Sequence, residues 1–98
     1  MFFRVPGMPP HAYEFEFDAQ KSKMNKDKHG IDFEDAQRLW LDERLVEIPA
    51  RSDNEGRSIV VGKIGDCHWA AIITYRGEKT RIISVRRARP KEIETYES

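Results

Sequence analysis

The chain has one cysteine, Cys67, in 98 residues. A single thiol cannot close an internal disulfide or build a cysteine-based zinc site, and the reading that follows is a reducing compartment, the cytoplasm. There is no CxxC, no HExxH and no glycine-rich phosphate loop, so the sequence implies no metal, nucleotide or other cofactor. No apolar run approaches the roughly 20 residues that span a bilayer. The opening "MFFRVPGMPPHAY" is too short and too proline-rich for a signal peptide. Residues 1 to 12 read as a flexible leader in which Met8 offers a second start, and residues 13 to 98 as one domain.

Net charge is also absent, yet charge is plentiful. Charged residues make up 35% of the chain and apolar residues 39%, a composition that folds. Residues 1 to 56 carry a balance of −4 and residues 57 to 98 a balance of +4. The segment Arg81 to Lys91 holds five basic residues and no acid. A basic stretch in a neutral protein suits a local anionic partner, although charge on an edge strand also blocks aggregation.

The order of elements follows from local signals. "YEFEF" alternates with period 2, putting Tyr13, Phe15 and Phe17 on one face of a strand. Asp18 is an N-cap for a helix from Ala19 to about Lys28, closed by Gly30 in the left-handed conformation. Asp32 caps a second helix, with Phe33, Ala36, Leu39 and Trp40 at helical spacing, so a helical hairpin is expected. Next come "RLVEIP", a loop "ARSDNEG", and three strands, "RSIVVGKIG", "DCHWAAIITY" and "KTRIISVRRA", joined by hairpin-length turns. Pro90 opens a closing helix with Ile93 and Tyr96 on one face. The expected fold is α+β, with an N-terminal helical hairpin on an antiparallel meander and a short C-terminal helix.

Two stretches carry candidate chemistry. Lys21, Asn25 and Lys28 share one face of the first helix, and His29 lies beside it. Cations also suit a helix C-terminus for purely structural reasons, so Lys28 and His29 admit both readings. On the last strand, Arg81, Ile83, Val85 and Arg87 point one way and Ile82, Ser84 and Arg86 the other. Periodicity leaves open which face is core. Arginines on a rigid strand suit bidentate phosphate binding, and Arg57 could join them from a neighbouring strand. Lysine, histidine, arginine, serine and tyrosine form a metal-free set able to cleave RNA by proton transfer and charge stabilisation. DNA, lacking the 2′-OH, is not a substrate for that chemistry. The same surface would serve a non-catalytic RNA- or protein-binding domain.

The order of motifs adds to this. "FEFDAQKSKMNKDKHGIDFEDA" resembles the opening block of the BrnT family, matching at Phe15, Glu16, Phe17, Asp18, Lys21, Asn25, the Lys28-His29-Gly30 run, Phe33, Glu34 and Ala36. "EGRSIVVG" resembles its middle block, and "RIISVRRARPKEIETYE" its closing block. The family often has Trp where Phe17 stands. The resemblance implies a RelE-like fold and a ribonuclease toxin of a type II toxin–antitoxin system that arrests translation. It further implies a BrnA-type antitoxin partner carrying a DNA-binding domain, so that DNA is met only through the complex. RelE-like toxins vary in which residues act as acid and base, so the roles are assigned from the chemistry of the two stretches: Lys28 or His29 to proton transfer, and Arg57, Arg81 and Arg86 to the phosphate. Lys21, Asn25, Ser84, Arg87 and Tyr96 are assigned supporting or RNA-contacting places.

Overall fold

The computed structural model describes residues 2–5, 13–49 and 56–98. Residues 50 to 55 of the expected loop "ARSDNEG", and residues 1 and 6 to 12 of the expected leader, lie outside them. Strand β1 is Phe3–Arg4, β2 is Glu14–Glu16, β3 is Val46–Pro49, β4 is Arg57–Ile64, β5 is Cys67–Arg76 and β6 is Lys79–Arg87. Helices α1 (Ala19–His29) and α2 (Phe33–Ala36) precede β3, and α3 (Pro90–Glu97) follows β6. None is long and apolar enough to cross a membrane.

Strands β3 to β6 form the antiparallel meander read from the sequence. The rest of the sheet departs from that reading. Phe3 and Arg4, inside the expected leader, pair antiparallel with β3. The "YEFEF" strand pairs parallel with β6, giving a mixed sheet ordered β1-β3-β4-β5-β6-β2. The second helix is also shorter than expected. Asp32 caps it as predicted, accepting the Asp35 N–H at 2.7 Å, but after one α-turn Gln37–Leu41 tighten into a 3-10 turn. Leu39 and Trp40 are still buried there.

Neighbouring strand residues feed opposite faces, as the period of 2 requires. Val60, Ala71 and Ile73 join Phe33, Leu39 and Leu45 in the larger core, whereas Val61 and Ala70 pack with Val46 and Tyr96 under α3. Tyr13 and Phe15 lie against Trp40, the Phe15 ring edge-on at 4.8 Å between centroids.

Strand β6 breaks its own alternation. Its register with β5 jumps from Ile72↔Ser84 to Ile73↔Ile82, so Ile83 is an extra, unpaired residue. This β-bulge shifts the phase, which is why Ile82 and Val85, three apart, both enter the larger core. The strict two-face alternation expected for this strand is therefore corrected, and Ser84 turns away from that core.

Helix α1 docks differently from an ordinary amphipathic helix. Its only buried side chains are Ser22 and Asn25. Ser22 Oγ accepts the Phe33 N–H at 2.8 Å. Asn25 Nδ2 donates to the carbonyls of Ile31 (2.8 Å) and Val85 (2.9 Å), and its Oδ1 accepts the Val85 N–H at 3.2 Å. Pairing of β2 ends at Arg81, so the Asn25 carboxamide takes over the open edge of β6 as a strand would.

Candidate functional site

The caps that set α1 also aim its charges. Asp18 accepts the N–H groups of Gln20 (2.8 Å) and Lys21 (3.1 Å), and Gly30, at φ 83°, ends the helix with its N–H on the Lys26 carbonyl. With Ser22 and Asn25 turned inward, Lys21 and Lys28 are exposed and His29 is half-buried. These three side chains border a cavity of about 460 Å³ between α1 and the β6 bulge, which Ser84 and Ile83 line from the strand side.

A second cavity, of about 340 Å³, opens beside it. Its floor is one row across three strands, where Arg57 of β4 opposes Thr74 of β5, and Thr74 opposes Arg81 of β6. Adjacent strands lie about 4.8 Å apart, so the two arginines stand one strand either side of Thr74. Arg76 is on the same face two residues on, and Lys21 and Ile83 complete the lining. Lys21 and Ile83 thus belong to both cavities.

The electrostatics of this face are unbalanced. Glu16 Oε2 accepts from Arg81 Nη1 at 2.8 Å and from Arg76 Nη1 at 3.4 Å. The Arg81 hydrogen bond holds the Glu16 carboxyl below its usual range. Among the described residues, the side chains of Lys21, Lys28, His29, Arg57 and Ser84 have no hydrogen-bond or ion-pair partner. Like charges brought together on one face repel, and an anion settling among them would relieve that repulsion.

Three residues assigned to this chemistry from the sequence lie elsewhere. Arg86 is bound bidentately by Glu92, Nη1 to Oε1 and Nη2 to Oε2, both at 2.8 Å. Its side chain keeps only 18% of its exposure, and it lines neither cavity. The reason is the next element: α3 carries Glu92 back across the strand end, where it also accepts the Arg89 N–H at 2.8 Å. Arg87 projects to the opposite face, its guanidinium 5.0 Å from the Trp69 ring centroid. Tyr96 is buried under α3 and donates to Asp42 Oδ2 at 2.6 Å. Burial and the Asp42 carboxylate push its phenol up to about 12, so it remains a hydrogen-bond donor there. Burial raises the Asp42 carboxyl too, but bonds from Tyr96 and the backbone N–H groups of Lys63 and Arg44 outweigh it and hold the group low. Asn25 does line the first cavity, but its carboxamide is committed to the backbone.

Arg76, Thr74 and Asp27 were not singled out in the sequence. Arg76 and Thr74 share a strand face by simple alternation, and once Arg57 is placed opposite Thr74 both follow. Asp27 lines the first cavity through its place one residue before Lys28. Among the described residues, no three His, Cys, Asp or Glu side chains converge as a metal site would require.

A search of curated proteins finds none that matches this chain. The family model described as "Ribonuclease toxin, BrnT, of type II toxin-antitoxin system" matches residues 17–92, which take in α1, the Arg57–Thr74–Arg81 row and the Arg86–Glu92 pair, and the chain belongs to that family.

Proposed function

We propose that the cationic face between α1 and β6 cleaves RNA without a metal ion, and that the protein thereby inhibits translation in the cytoplasm. The observation that carries this is Lys21, which borders both cavities and so joins Lys28, His29 and Ser84 to Arg57, Arg76 and Arg81 around the Ile83 bulge. A scissile phosphate seated over that junction would have proton-transfer groups on one side and guanidinium groups on the other.

The chemistry then runs as a transesterification. Imidazole can accept a proton and ammonium can give one, which assigns His29 to the ribose 2′-OH and Lys28 to the leaving 5′-oxygen. The 2′-oxygen bonds to phosphorus, the bond from phosphorus to the 5′-oxygen breaks, and the products are a 2′,3′-cyclic phosphate and a 5′-hydroxyl. Arg57, Arg81 and Lys21 stabilise the charge that builds on the phosphoryl oxygens. Glu16 keeps Arg76 and Arg81 extended over the sheet until the phosphate replaces it. Asn25 supports the site from beneath by fixing α1 to β6. The RelE-like architecture and neutralisation by a BrnA-type antitoxin, which alone brings the complex to DNA, complete this reading.

The test is cleavage of a defined single-stranded RNA by purified protein in EDTA. The expected products end in 2′,3′-cyclic phosphate, and His29→Ala and Lys21→Ala should each slow cleavage at least tenfold. Activity that disappears in EDTA and returns with a divalent cation would refute the mechanism. RNA binding that weakens with salt, without any cleavage, would favour a non-catalytic binding domain.

A further inference from the structure

The first cavity is not simply cationic. Its inner wall is apolar: Phe33, almost wholly buried, Ile83 on the bulge, and Met24 on α1. Met24 is 64% exposed, the most exposed large apolar side chain among the described residues. Among the described residues, Asp27 is the one carboxylate that lines either cavity on this face.

Asp27 has no local explanation. It lies in the last turn of α1, where the helix end is already negative and an anion is unfavourable. It is also an acid beside a site that would hold phosphate. Lys23, four residues earlier, is the natural helix partner, yet among the described residues no ion pair joins the two. A carboxylate left unpaired at the mouth of an apolar cavity is an acceptor waiting for N–H donors.

A nucleobase has the matching shape, with an apolar face and a polar edge. The cavity, at about 460 Å³, is of small-ligand size and shares Lys21 and Ile83 with the arginine cavity. We propose that this cavity takes one nucleobase of the RNA strand. Met24 and Ile83 cover its face, and Asp27 reads its edge. Guanine fits best, because its N1–H and 2-amino group lie side by side and match the two carboxylate oxygens. Uracil offers one N–H flanked by two carbonyls that the carboxylate repels. This selectivity rests on the RNA-cleaving reading of the same site, but it makes a binding prediction of its own.

The test titrates the full chain, labelled at methionine methyl groups, with guanosine 3′-monophosphate and uridine 3′-monophosphate, which differ only in the base. Guanosine monophosphate should shift the Met24 methyl and bind about 5- to 150-fold more tightly than uridine monophosphate, the range of one bidentate base contact. Asp27→Ala, at an exposed position that leaves the fold intact, should erase most of that preference. Met24→Ala should weaken both ligands. In parallel, wild type and Asp27→Ala are given a random-sequence single-stranded RNA and the cut sites are mapped. Guanine enrichment beside the cut that falls in Asp27→Ala supports the base pocket. Cleavage with no base preference, or one unchanged by Asp27→Ala, overturns the pocket and spares the nuclease. An Asp27-dependent guanosine preference without any RNA cleavage upholds the pocket and overturns the nuclease. Equal affinity for the two nucleotides, or no movement of the Met24 methyl, overturns the pocket outright.

Discussion

Replacing Asn25 with alanine probes how a helix with no apolar stripe is held to the sheet. Asn25 is 8% exposed and makes three hydrogen bonds to backbone groups of Ile31 and Val85. Each such bond contributes about 0.5–1.5 kcal/mol net, so removing all three costs about 1.5–4.5 kcal/mol. Water entering from the adjoining cavity would re-satisfy part of the edge, which places the expected loss near 2–3 kcal/mol. In a domain of this size each kcal/mol lowers Tm by about 4–8 °C, so the melting point should fall by about 10–20 °C. In urea the midpoint should drop at an unchanged slope. Asn25→Asp is the sharper variant. It keeps the acceptor for the Val85 N–H but turns a carboxylate toward two carbonyls, which favours the protonated form in the folded state. A carboxyl whose folded pKa is raised stabilises at low pH and loses that contribution as pH rises through the folded value. Asn25→Asp should therefore be less stable than Asn25→Ala at pH 7 and recover on acidification toward pH 4. Exposed Lys21→Ala, as control, should stay within about 0.5 kcal/mol of wild type. An Asn25→Ala protein within that same margin, or an Asn25→Asp protein whose stability ignores pH, would refute the reasoning.

Three further outcomes follow from the charges and the packing. Burial raises the Glu92 carboxyl, but the Arg86 hydrogen bonds and the Arg89 N–H more than offset it and leave it depressed. Its stabilising contribution is therefore present above the ordinary carboxyl range and is lost as pH falls through the folded value. Glu92→Gln should cost about 2–3 kcal/mol at pH 7 by urea titration and flatten the acid limb of the stability profile. Arg57→Ala and Arg81→Ala should each lower RNA cleavage about 10²–10³-fold with little change in Tm, whereas Arg86→Ala should lower Tm, so paired melting and cleavage measurements separate the two classes. Gly62→Ala would put a methyl 2.8 Å from Leu45 Cδ1 and 3.2 Å from Leu39 Cδ2; overpacking of this kind costs about 1–3 kcal/mol, measurable as a lower urea midpoint.

Much of the architecture was legible because it is decided within a few residues. Asp18 and Asp32 cap, Gly30 stops and Pro90 starts for reasons of local backbone chemistry, and each does so where the sequence places it. The meander was legible from strand length and hairpin-length turns. The parallel placement of β2 was not, because two strands so far apart in sequence meet through the tertiary fold alone. Adjacent Ile82 and Ile83 allow two phases of alternation, and only a bulge satisfies both Ile82 and Val85. Asn25 looked like a solvent-facing or ligand-facing polar residue and Ser22 gave no signal at all, since a helix bound by hydrogen bonds has no periodic apolar signature.

The same division runs through the site. By itself the sequence determined that Lys21 and Lys28 share a helix face, that cations gather toward the end of the chain, and that three ordered blocks resemble one family. The tertiary structure decided which of those cations remain uncommitted. Glu92 claims Arg86, Trp69 lies under Arg87, and Asp42 holds Tyr96, while among the described residues Lys21, Lys28, His29 and Arg57 line the two cavities without a hydrogen-bond or ion-pair partner. Helical and strand periods place side chains on faces through bonds along the chain. Whether a charge is free depends on which counter-charge reaches it through space, and that is set only when the elements pack.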